Sequence, residues 1–465
     1  PGVIALFENP WWVGAVASNW WAANRAVEAM KPAFNSPDEP LSSDTINAAL
    51  AGALETDEGV RAYERGDVGE AYATTPTYRA HYSVGVAPSA PLETLTATAR
   101  ITGDRLEVWA PVQAIALARA AAARASGLPE GQVTIYPMLV GGGYGRKLET
   151  AAIEQAVMMT AQVKRPVQLV WSRVEETMQD GFRPPAAASI SASMGEGGRI
   201  TGWQARIATP ATVSQVTSRL AGAADPSGKS DPAMADGAVP PYDIPSVAID
   251  LLPADTGLRT GFWRSGAHSY TAFFTESFID ELARKAGIEP LSFRMQMLGG
   301  NTRLAQCLST AAALGGWDGG GAGSRMGLAA HSAFGSHIGL LIEAEFDALR
   351  RVRVNRAVAA VDCGRVVNPT IVSQLIEGGI MHGIAAAAGR PIAFQGGLPS
   401  AKDFSDLGLP RLADSPEVSV EIIPSQEPPG GVTELGVPPV APALANALFA
   451  STGRRLRTLP LGGAR

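Results

Sequence analysis

The chain has 465 residues, a net charge of −6 and a charged fraction of 18%. This length exceeds what one hydrophobic core supports, so two or three domains are expected, and the lack of a basic block argues against nucleic acid as a partner. Two cysteines, Cys307 and Cys363, are too few for a disulfide framework, a four-cysteine zinc site or an iron–sulfur cluster. No uninterrupted apolar run reaches the roughly 18 residues of a spanning helix. The chain begins "PGVIALFENPWW", without Met or leader, and is expected to be a processed product or the later part of a longer one, with any targeting signal upstream.

The first half of the chain is predicted to place a glycine-rich turn between a strand and a helix. Alternating residues around "TGDR" predict a hairpin over Leu92–Ala110, and an Ala-rich helix follows over Val112–Ser126 with Gly127 as its stop. Gln132–Val140 is a predicted strand, and a helix is predicted from about Leu148 to Val163. The turn between them reads "VGGGYGRKLET".

Farther along, Val167–Trp171 is a predicted strand and Thr271–Gly287 a predicted helix. Thr209–Pro245 is rich in Pro, Gly, Ser and Asp, which predicts a long loop or a domain crossing.

The last part of the chain repeats this mixture of strands and helices. Residues 352–364 and 417–424 are predicted strands, and residues 432–453 are predicted to run extended into a helix. Asn368 and Pro369 are a cap and a first-turn proline at the start of another helix. The predicted fold class is therefore α+β with mixed sheets.

The glycine-rich turn admits two interpretations. Gly145 is followed by Arg146, Lys147 and Leu148, so the turn is neither a nucleotide P-loop nor a dinucleotide GxGxxG motif. It is either a plain tight turn or an anion site made by backbone N–H groups at a helix start.

Glu434 lies between glycines and prolines in "GGVTELGVPPVAPAL". It is either a hydrogen-bonded residue on the approach to a helix or a general base. Burial among Val432, Leu435 and Val437 would raise its pKa and favour the second role.

Five histidines show no metal-binding spacing such as HxxxH or HExxH, so each is expected to be a packed or surface residue: His81, His268, His331, His337 and His382. The chain also lacks the GxSxG nucleophile elbow of α/β-hydrolases.

Four segments, in order from about Ala71 to Leu461, carry a resemblance to a known family. They read "GGGYGRKLET", "GFWRSGAHSYTAFFTESFIDELARKAG", "VDCGRVVNPTIVSQLIEGGIMHGIAAA" and "PPGGVTELGVPPVAPALANALFASTGRRLRTLPL". Together they resemble the molybdenum-binding large subunit of the xanthine oxidase family, in particular its isoquinoline 1-oxidoreductase beta-subunit branch, which includes related aldehyde dehydrogenases. The resemblance implies molybdopterin-binding domains with mixed sheets and packed helices, N-terminally incomplete relative to the family.

That resemblance also implies a division of the chain. Residues 1–70 would be the remnant of a preceding domain and a linker. Residues 71–330 would form a first molybdopterin-binding domain, and residues 331–465 a second one that carries the catalytic glutamate.

The resemblance assigns roles to individual residues. Glu434 would lie next to molybdenum as general base, and Gln113 beside the metal's oxo ligand. The other residues assigned to the cofactor are Gly142, Gly143, Tyr144, Gly145, Arg146, Arg264 and His382. The metal itself would be held by the pterin.

This sequence departs from the family at two of these places. His382 stands where relatives have a Gln, and "GVTELG" replaces "GVGEPG" while keeping the carboxylate. The segment from Gly389 to Asp406 is also shorter and poorer in aromatic residues than the family pattern.

The implied function is that of a molybdenum hydroxylase, which inserts a water-derived oxygen into an electron-poor carbon of an N-heteroaromatic or aldehyde substrate. The cofactor would be molybdopterin in its cytosine dinucleotide form. Electrons would leave through a small iron–sulfur subunit, with a cytochrome c as a further acceptor. The compartment stays open, although the resemblance favours a periplasmic or membrane-associated location.

Two alternatives remain: a degenerate, cofactor-free binding subunit, and a scaffold subunit of such a complex. For the substrate, the aromatic residues Phe262, Trp263 and Tyr270 could stack on a heterocycle, whereas Phe273 and Phe274 are expected to pack in the core.

Overall fold

The computed structural model describes residues 2–35, 38–56, 59–222 and 231–461. The strands are β1 (Val3–Asn9), β2 (Trp12–Ala17), β3 (Val60–Arg65), β4 (Thr77–Val84), β5 (Thr96–Thr102), β6 (Arg105–Ala110), β7 (Val133–Pro137), β8 (Val167–Val170), β9 (Ala186–Met194), β10 (Ile200–Thr209), β11 (Ser246–Pro253), β12 (Met326–Ala333), β13 (Ser336–Phe346), β14 (Val352–Asp362), β15 (Phe394–Gln395), β16 (Leu398–Pro399), β17 (Glu417–Ile422) and β18 (Thr458–Leu459).

The α-helices are α1 (Trp20–Met30), α2 (Ser43–Glu55), α3 (Val68–Thr74), α4 (Ile115–Ser126), α5 (Ala151–Val163), α6 (Arg173–Met178), α7 (Thr212–Ala221), α8 (His268–Ala286), α9 (Pro290–Met295), α10 (Thr302–Gly315), α11 (Pro369–Ala388), α12 (Phe404–Leu407) and α13 (Val440–Thr452). Short 3-10 turns lie at Glu130–Gln132, Arg146–Leu148, Glu196–Gly198, Pro232–Ala235 and Leu412–Asp414.

Three mixed sheets organise these elements. The strand orders are β7-β6-β5-β8, β18-β4-β9-β10-β11-β3 and β12-β13-β14-β17. The β6–β7, β10–β11, β14–β17 and β18–β4 pairs are parallel, and the other pairs in these sheets are antiparallel. The α+β prediction with mixed sheets is confirmed.

The largest core lies between the six-stranded sheet, α8 and the β12–β14 layer. Every residue from Ser269 to Ala283 is buried, as expected of a helix with other elements packed around it. Phe273 and Phe274 meet the ring of Tyr82 on β4, with centroids 5.7 and 6.1 Å apart. This packing confirms their predicted core role and holds α8 against the six-stranded sheet.

The smaller first sheet presents the glycine-rich turn. Small and branched residues of β5, β6 and β7 pack against α4 and α5 in a separate core. The chain leaves the end of β7, makes the glycine turn and enters α5. The turn is therefore held at both ends by this sheet and its helices.

Most local predictions are confirmed, with shifted ends. β5 and β6 form the hairpin, and Gly127 is the left-handed C-cap of α4. The side chain of Asn368 caps α11 by accepting the Ile371 N–H at 3.1 Å.

The predicted long loop over Thr209–Pro245 is partly wrong, because it contains α7. The Asp231 carboxylate accepts the N–H groups of Val213 and Ser214 at 3.0 and 3.3 Å, which stabilises the start of that helix. Part of the predicted loop, residues 223–230, lies outside the described residues.

The domain division remains a prediction. Position 70 lies inside α3, and position 330 lies inside β12, which pairs with β13. Within residues 1–70, predicted to be a domain remnant and a linker, β3 is an edge strand of the six-stranded sheet. Ile46 and Leu50 of α2 also join a core with Phe182 and Leu252.

Helix α11 meets the length and composition of a membrane-crossing helix, the one such helix in the described part of the chain. Core helices of globular domains meet the same criteria. Ile376, Ile380 and Ile384 belong to the main core, and Gln374 and Glu377 interrupt the apolar run.

Candidate active site

A cleft of about 810 Å³, here called the main cleft, is lined by several segments. They include the glycine turn, the residues before α8, one side of α11 and the turn before α13, together with residues 210–213, residues 231–236 and Phe334. The predicted site residues that line it are Gln113, Gly143, Tyr144, Gly145, Arg264 and Glu434. Folding thus gathers residues from across the sequence into one site.

The glycine wall of the cleft is shaped by close contacts within the chain. A Cβ on Gly145 (φ +104°) would lie 1.9 Å from the carbonyl oxygen of Phe262, and one on Gly143 would lie 2.5 Å from Oε1 of Gln113. Tyr144 between them has a φ of +55°. Glycine is needed at 145 because the Phe262 backbone leaves no room for a side chain, and a Cβ at 143 would displace the Gln113 amide.

Two residues of this wall have backbone N–H groups without an acceptor in the described part of the chain. Among the described residues, none accepts a hydrogen bond from the backbone N–H of Tyr144 or Gly145. Gln113 is fixed beside them, because its Oε1 accepts the Lys147 N–H at 3.2 Å and its own N–H donates to the Lys147 carbonyl at 3.1 Å. Of the two interpretations of the turn, donors without an acceptor favour the anion site over a plain tight turn.

Arg146 does not face the main cleft, which corrects the expectation that it contacts the cofactor. Its side chain is 1% exposed, with Nε 2.6 Å from Glu176 and 3.4 Å from Asp180. Burial by itself lowers the pKa of Arg146. The charges of Asp180 and Glu176 raise that pKa by more, so the net shift is upward. The neighbouring Lys147 also turns inward, to Glu93 and the Thr94 carbonyl.

Two more predicted cofactor residues lie off the main cleft. Gly142 (φ +88°) shapes the turn, where a Cβ would come 3.2 Å from the Tyr144 ring. His382 lines a second cavity of about 410 Å³, with its ring between those of Tyr144 and Trp263, at centroid distances of 4.7 and 4.6 Å. Burial, with the charges of Arg264 and Arg183, lowers the pKa of His382 to about 3, so the ring is neutral.

Glu434 is held at the cleft by Ser265. The Ser265 N–H donates to Oε2 of Glu434 at 2.9 Å, and the Ser265 hydroxyl donates to the Glu434 carbonyl at 2.6 Å. Glu434 is only half-buried, so the burial that would favour a general base is incomplete. The hydrogen bonds settle its position; they are compatible with either of the two roles considered for it.

Arg264 fastens the turn that carries Glu434. Its guanidinium donates to the Thr433 carbonyl, with Nε at 2.8 Å, and to the Leu375 carbonyl of α11 at 3.1 Å. One side chain thereby joins the segment before α8, helix α11 and the turn with the candidate catalytic carboxylate.

A contact between two glycines brings that turn against α11. A Cβ on Gly436 would lie 2.5 Å from the Ile376 carbonyl, and one on Gly379 would lie 2.9 Å from Cα of Gly436. Backbone therefore packs on backbone here, which sets the distance of Glu434 from the helix.

Several residues of the main cleft were missed by sequence reasoning. Ser265 and His268 follow Arg264 within a motif already singled out, so that motif was the available signal. Gln374 and Gly378 of α11 and Asp231 reach the cleft only through tertiary packing. Among the described residues, no three His, Cys, Asp or Glu side chains converge as a metal site.

Comparison with known proteins identifies two matching family models. Residues 54–298 match a molybdopterin cofactor-binding domain model, and residues 318–416 match a second model of the same description. The first alone covers more than half of the chain.

Curated relatives agree with this family. The chain is 29% identical to the beta subunit of isoquinoline 1-oxidoreductase of Brevundimonas diminuta over 80% of this chain and 48% of the relative. It is 26% identical to a nicotinate dehydrogenase subunit of Pseudomonas putida, over 100% of this chain and 41% of the relative. A membrane-bound aldehyde dehydrogenase of Gluconacetobacter polyoxogenes is also 26% identical, over 97% of this chain and 62% of the relative. The chain thus spans about half the length of the curated relatives it matches.

Solved structures share the fold at low sequence identity. Quinoline 2-oxidoreductase from Pseudomonas putida 86 superposes with a TM-score of 0.80 at 14% identity, over 96% of this chain and 83% of that one. Aldehyde oxidoreductase from Desulfovibrio gigas gives 0.71 at 14% identity, over 96% of this chain and 67% of that one. The domain matches, the relatives and the fold together show that the chain is a molybdopterin-binding subunit of the xanthine oxidase family.

Proposed function

We propose that this chain is the catalytic part of a molybdenum hydroxylase. The observation that carries the proposal is the carboxylate of Glu434, held by Ser265 in the same cleft as the glycine wall, whose Tyr144 and Gly145 N–H groups have no acceptor among the described residues. The intact carboxylate and wall favour turnover over a cofactor-free binding or scaffold role.

The cleft fits a molybdopterin. Gly143 and Gly145 keep side chains off the wall, the N–H groups of Tyr144 and Gly145 are available as donors, and the amide of Gln113 lies beside them. These are neutral hydrogen-bonding groups, which suit a polar heterocycle that carries its own metal. We assign Gly143, Tyr144, Gly145, Gln113 and the Arg264 segment to cofactor contact.

When bound, the molybdenum cofactor supplies the two-electron redox chemistry. The protein supplies position and a base. Oε2 of Glu434 is engaged by the Ser265 N–H, whereas Oε1 has no hydrogen-bond partner among the described residues. Oε1 is therefore the atom that would accept a proton during turnover, while Ser265 keeps the carboxylate aligned.

The substrate class follows from the apolar side of the main cleft. Phe262, Tyr270 and Phe334 line it, and such flat faces suit an aromatic ring. We favour an N-heteroaromatic substrate, oxidised at the electron-poor carbon next to nitrogen, over an aldehyde. The names of the relatives include both kinds of enzyme.

Electron transfer would need centres outside this sequence, since its two cysteines, Cys307 and Cys363, are both buried and too few to hold an iron–sulfur cluster. The isoquinoline 1-oxidoreductase and nicotinate dehydrogenase relatives are themselves named as subunits, which makes them components of larger complexes. We propose a small iron–sulfur partner, a cytochrome c as a further acceptor and the cytosine dinucleotide form of the cofactor. His382, beside the second cavity, is a candidate contact for the dinucleotide.

One preparation tests these assignments. The complex purified with this chain should contain molybdenum, release a cytosine nucleotide on denaturation and include a small cysteine-rich subunit. It should oxidise quinoline-type heterocycles. Turnover of simple aldehydes alone would reverse the substrate preference, and a molybdenum-free complex would support the binding-only alternative.

A further inference from the structure

A partly buried and a buried histidine, His268 and His331, connect the main cleft with the interior. His268 begins α8 and lines the cleft, and its Nδ1 lies 2.9 Å from Nε2 of His331 on β12. The rings meet edge to face, with centroids 5.0 Å apart and planes at 81°. His331 is 3% exposed and lines a third cavity, of about 240 Å³.

The pair is neutral at physiological pH. Burial lowers the pKa of His268 to about 4, and burial together with the charge of His268 lowers the pKa of His331 well below its usual range. At 2.9 Å the two nitrogens share one hydrogen, so one ring donates and the other accepts.

Two acidic groups near the pair, Glu276 and Asp231, are already engaged. In the third cavity, Glu276 accepts from Arg294, from the Tyr242 hydroxyl and from the Ala330 N–H. Asp231 accepts three backbone N–H groups near the cleft. Burial, and then the charge of Asp231, raise the pKa of Asp236, the other carboxyl that lines this side. These groups therefore do little to stabilise a charged imidazole on His268 or His331.

Neutrality gives the pair two arrangements. If His331 donates to Nδ1 of His268, the other nitrogen of His268, Nε2, carries a hydrogen and is a donor. If His268 donates from Nδ1, its Nε2 is an acceptor. Among the described residues, none forms a hydrogen bond with Nε2 of His268 or with Nδ1 of His331.

We propose that His268 is the hydrogen-bonding group that the aromatic side of the cleft offers to substrate, and that His331 is a positioning residue that sets whether His268 donates or accepts. Starting from the arrangement in which His331 donates, three proton movements give the other arrangement. Nδ1 of His331 gains a proton, the proton between the rings moves from Nε2 of His331 to Nδ1 of His268, and Nε2 of His268 loses a proton. Charge is unchanged throughout.

This polarity change matches the chemistry of the proposed function, on which this part of the inference rests. The ring nitrogen of an N-heteroaromatic substrate is an acceptor. After the neighbouring carbon is oxidised, the lactam form of the product has an N–H donor at the same nitrogen. A cleft residue that can present either polarity serves both states without burying an unpaired polar group.

The first test is spectroscopic and does not depend on turnover. This sequence has five histidines, so ¹⁵N-histidine labelling gives a readable spectrum. At pH 7, His268 and His331 should each show one protonated and one bare nitrogen. In His331→Leu the His268 nitrogens should average between tautomers, whereas His81→Gln, at an exposed position, should leave them unchanged. Identical His268 signals in wild type and His331→Leu, or a charged ring at pH 7, would overturn the inference.

The second test uses two probes on the cofactor-loaded complex: quinoline, an acceptor, and 2-quinolinone, its lactam. His268→Phe should weaken both by about tenfold, the loss of one hydrogen bond to a ligand. His331→Leu should reduce the difference between the two affinities. Affinities within about twofold of wild type for both probes in both variants would refute the assignment. If His331→Leu changes the His268 signals but the purified complex lacks molybdenum, the proposed function is wrong while the role of the histidine pair is supported.

Discussion

Ser265 and Glu434 are joined twice, through the N–H of Ser265 to the Glu434 carboxylate and through its hydroxyl to the Glu434 carbonyl, although 169 positions separate them. Ser265 reaches both groups only by adopting a φ of +78°, a conformation that costs a non-glycine residue about 1–3 kcal/mol. The two hydrogen bonds offset that strain and place the carboxylate in the main cleft.

Replacement of the carboxylate tests the proposed base. Glu434→Gln keeps an oxygen that can accept the Ser265 N–H, so the turn should keep its geometry and the protein its melting temperature and molybdenum. Turnover should fall by about 10² to 10⁴, the usual contribution of a general base. Single-turnover reduction of the cofactor by substrate is the measurement. Glu421→Gln, an exposed glutamate on β17, is the matched control. Near-normal reduction in Glu434→Gln would end the assignment.

The strained backbone at Ser265 predicts that the glycine variant is more stable than the alanine variant. Ser265→Ala loses the hydroxyl bond and keeps the unfavourable φ, so it should unfold more easily by roughly 1 kcal/mol. Ser265→Gly loses the same bond but relieves the backbone, so it should be less destabilised than the alanine variant. Thermal unfolding of both variants decides. An alanine variant that is as stable as wild type would show that the hydroxyl bond contributes little.

The glycine wall should tolerate no side chain at Gly145. Gly145→Ala would place Cβ 1.9 Å from the Phe262 carbonyl at a φ of +104°. The backbone must move, and we expect a loss of at least about 2 kcal/mol together with loss of bound pterin. Gly52→Ala is the control, because Gly52 has open space around it in α2 and alanine favours helix there. Full cofactor content in a stable Gly145→Ala protein would contradict the close approach.

A buried carboxylate near the cleft predicts a pH effect on stability. Burial would raise the pKa of Glu149, but the hydrogen bond from Arg219 and the charges of Arg259, Arg219 and Arg146 lower it to about 2. Its folded-state pKa lies below the unfolded value of 4.5, so Glu149 stabilises the fold above that pH and loses its contribution as pH falls toward 2. The full contribution is roughly 3 kcal/mol.

The difference between wild type and Glu149→Gln isolates this effect from other carboxylates. The variant should be clearly less stable than wild type at pH 7, and the gap should shrink by pH 3. Glu130→Gln, an exposed glutamate in a 3-10 turn, should show no such gap. Unfolding free energies at both pH values are the measurement, and a gap independent of pH would refute the linkage.

The sequence alone determined local structure and family. Strand alternation of apolar and polar residues, helix stops and helix caps depend on residues close together in the sequence. The β5–β6 hairpin, the Gly127 stop and the Asn368 cap could therefore be predicted. The four motif segments gave the family, and with it Gln113 and Glu434 as residues that line the main cleft. Each of these local features and motifs is recognised from residues that lie a few positions apart in the chain.

Only the tertiary structure decided where side chains point. Arg146 stands next to a wall residue in the sequence, yet it turns inward because Glu176 and Asp180 offer it a buried ion pair. The His268–His331 pair joins α8 to β12 across 63 positions, so no spacing rule could find it. Packing and electrostatics between distant segments set these contacts, and they act only once the chain has folded.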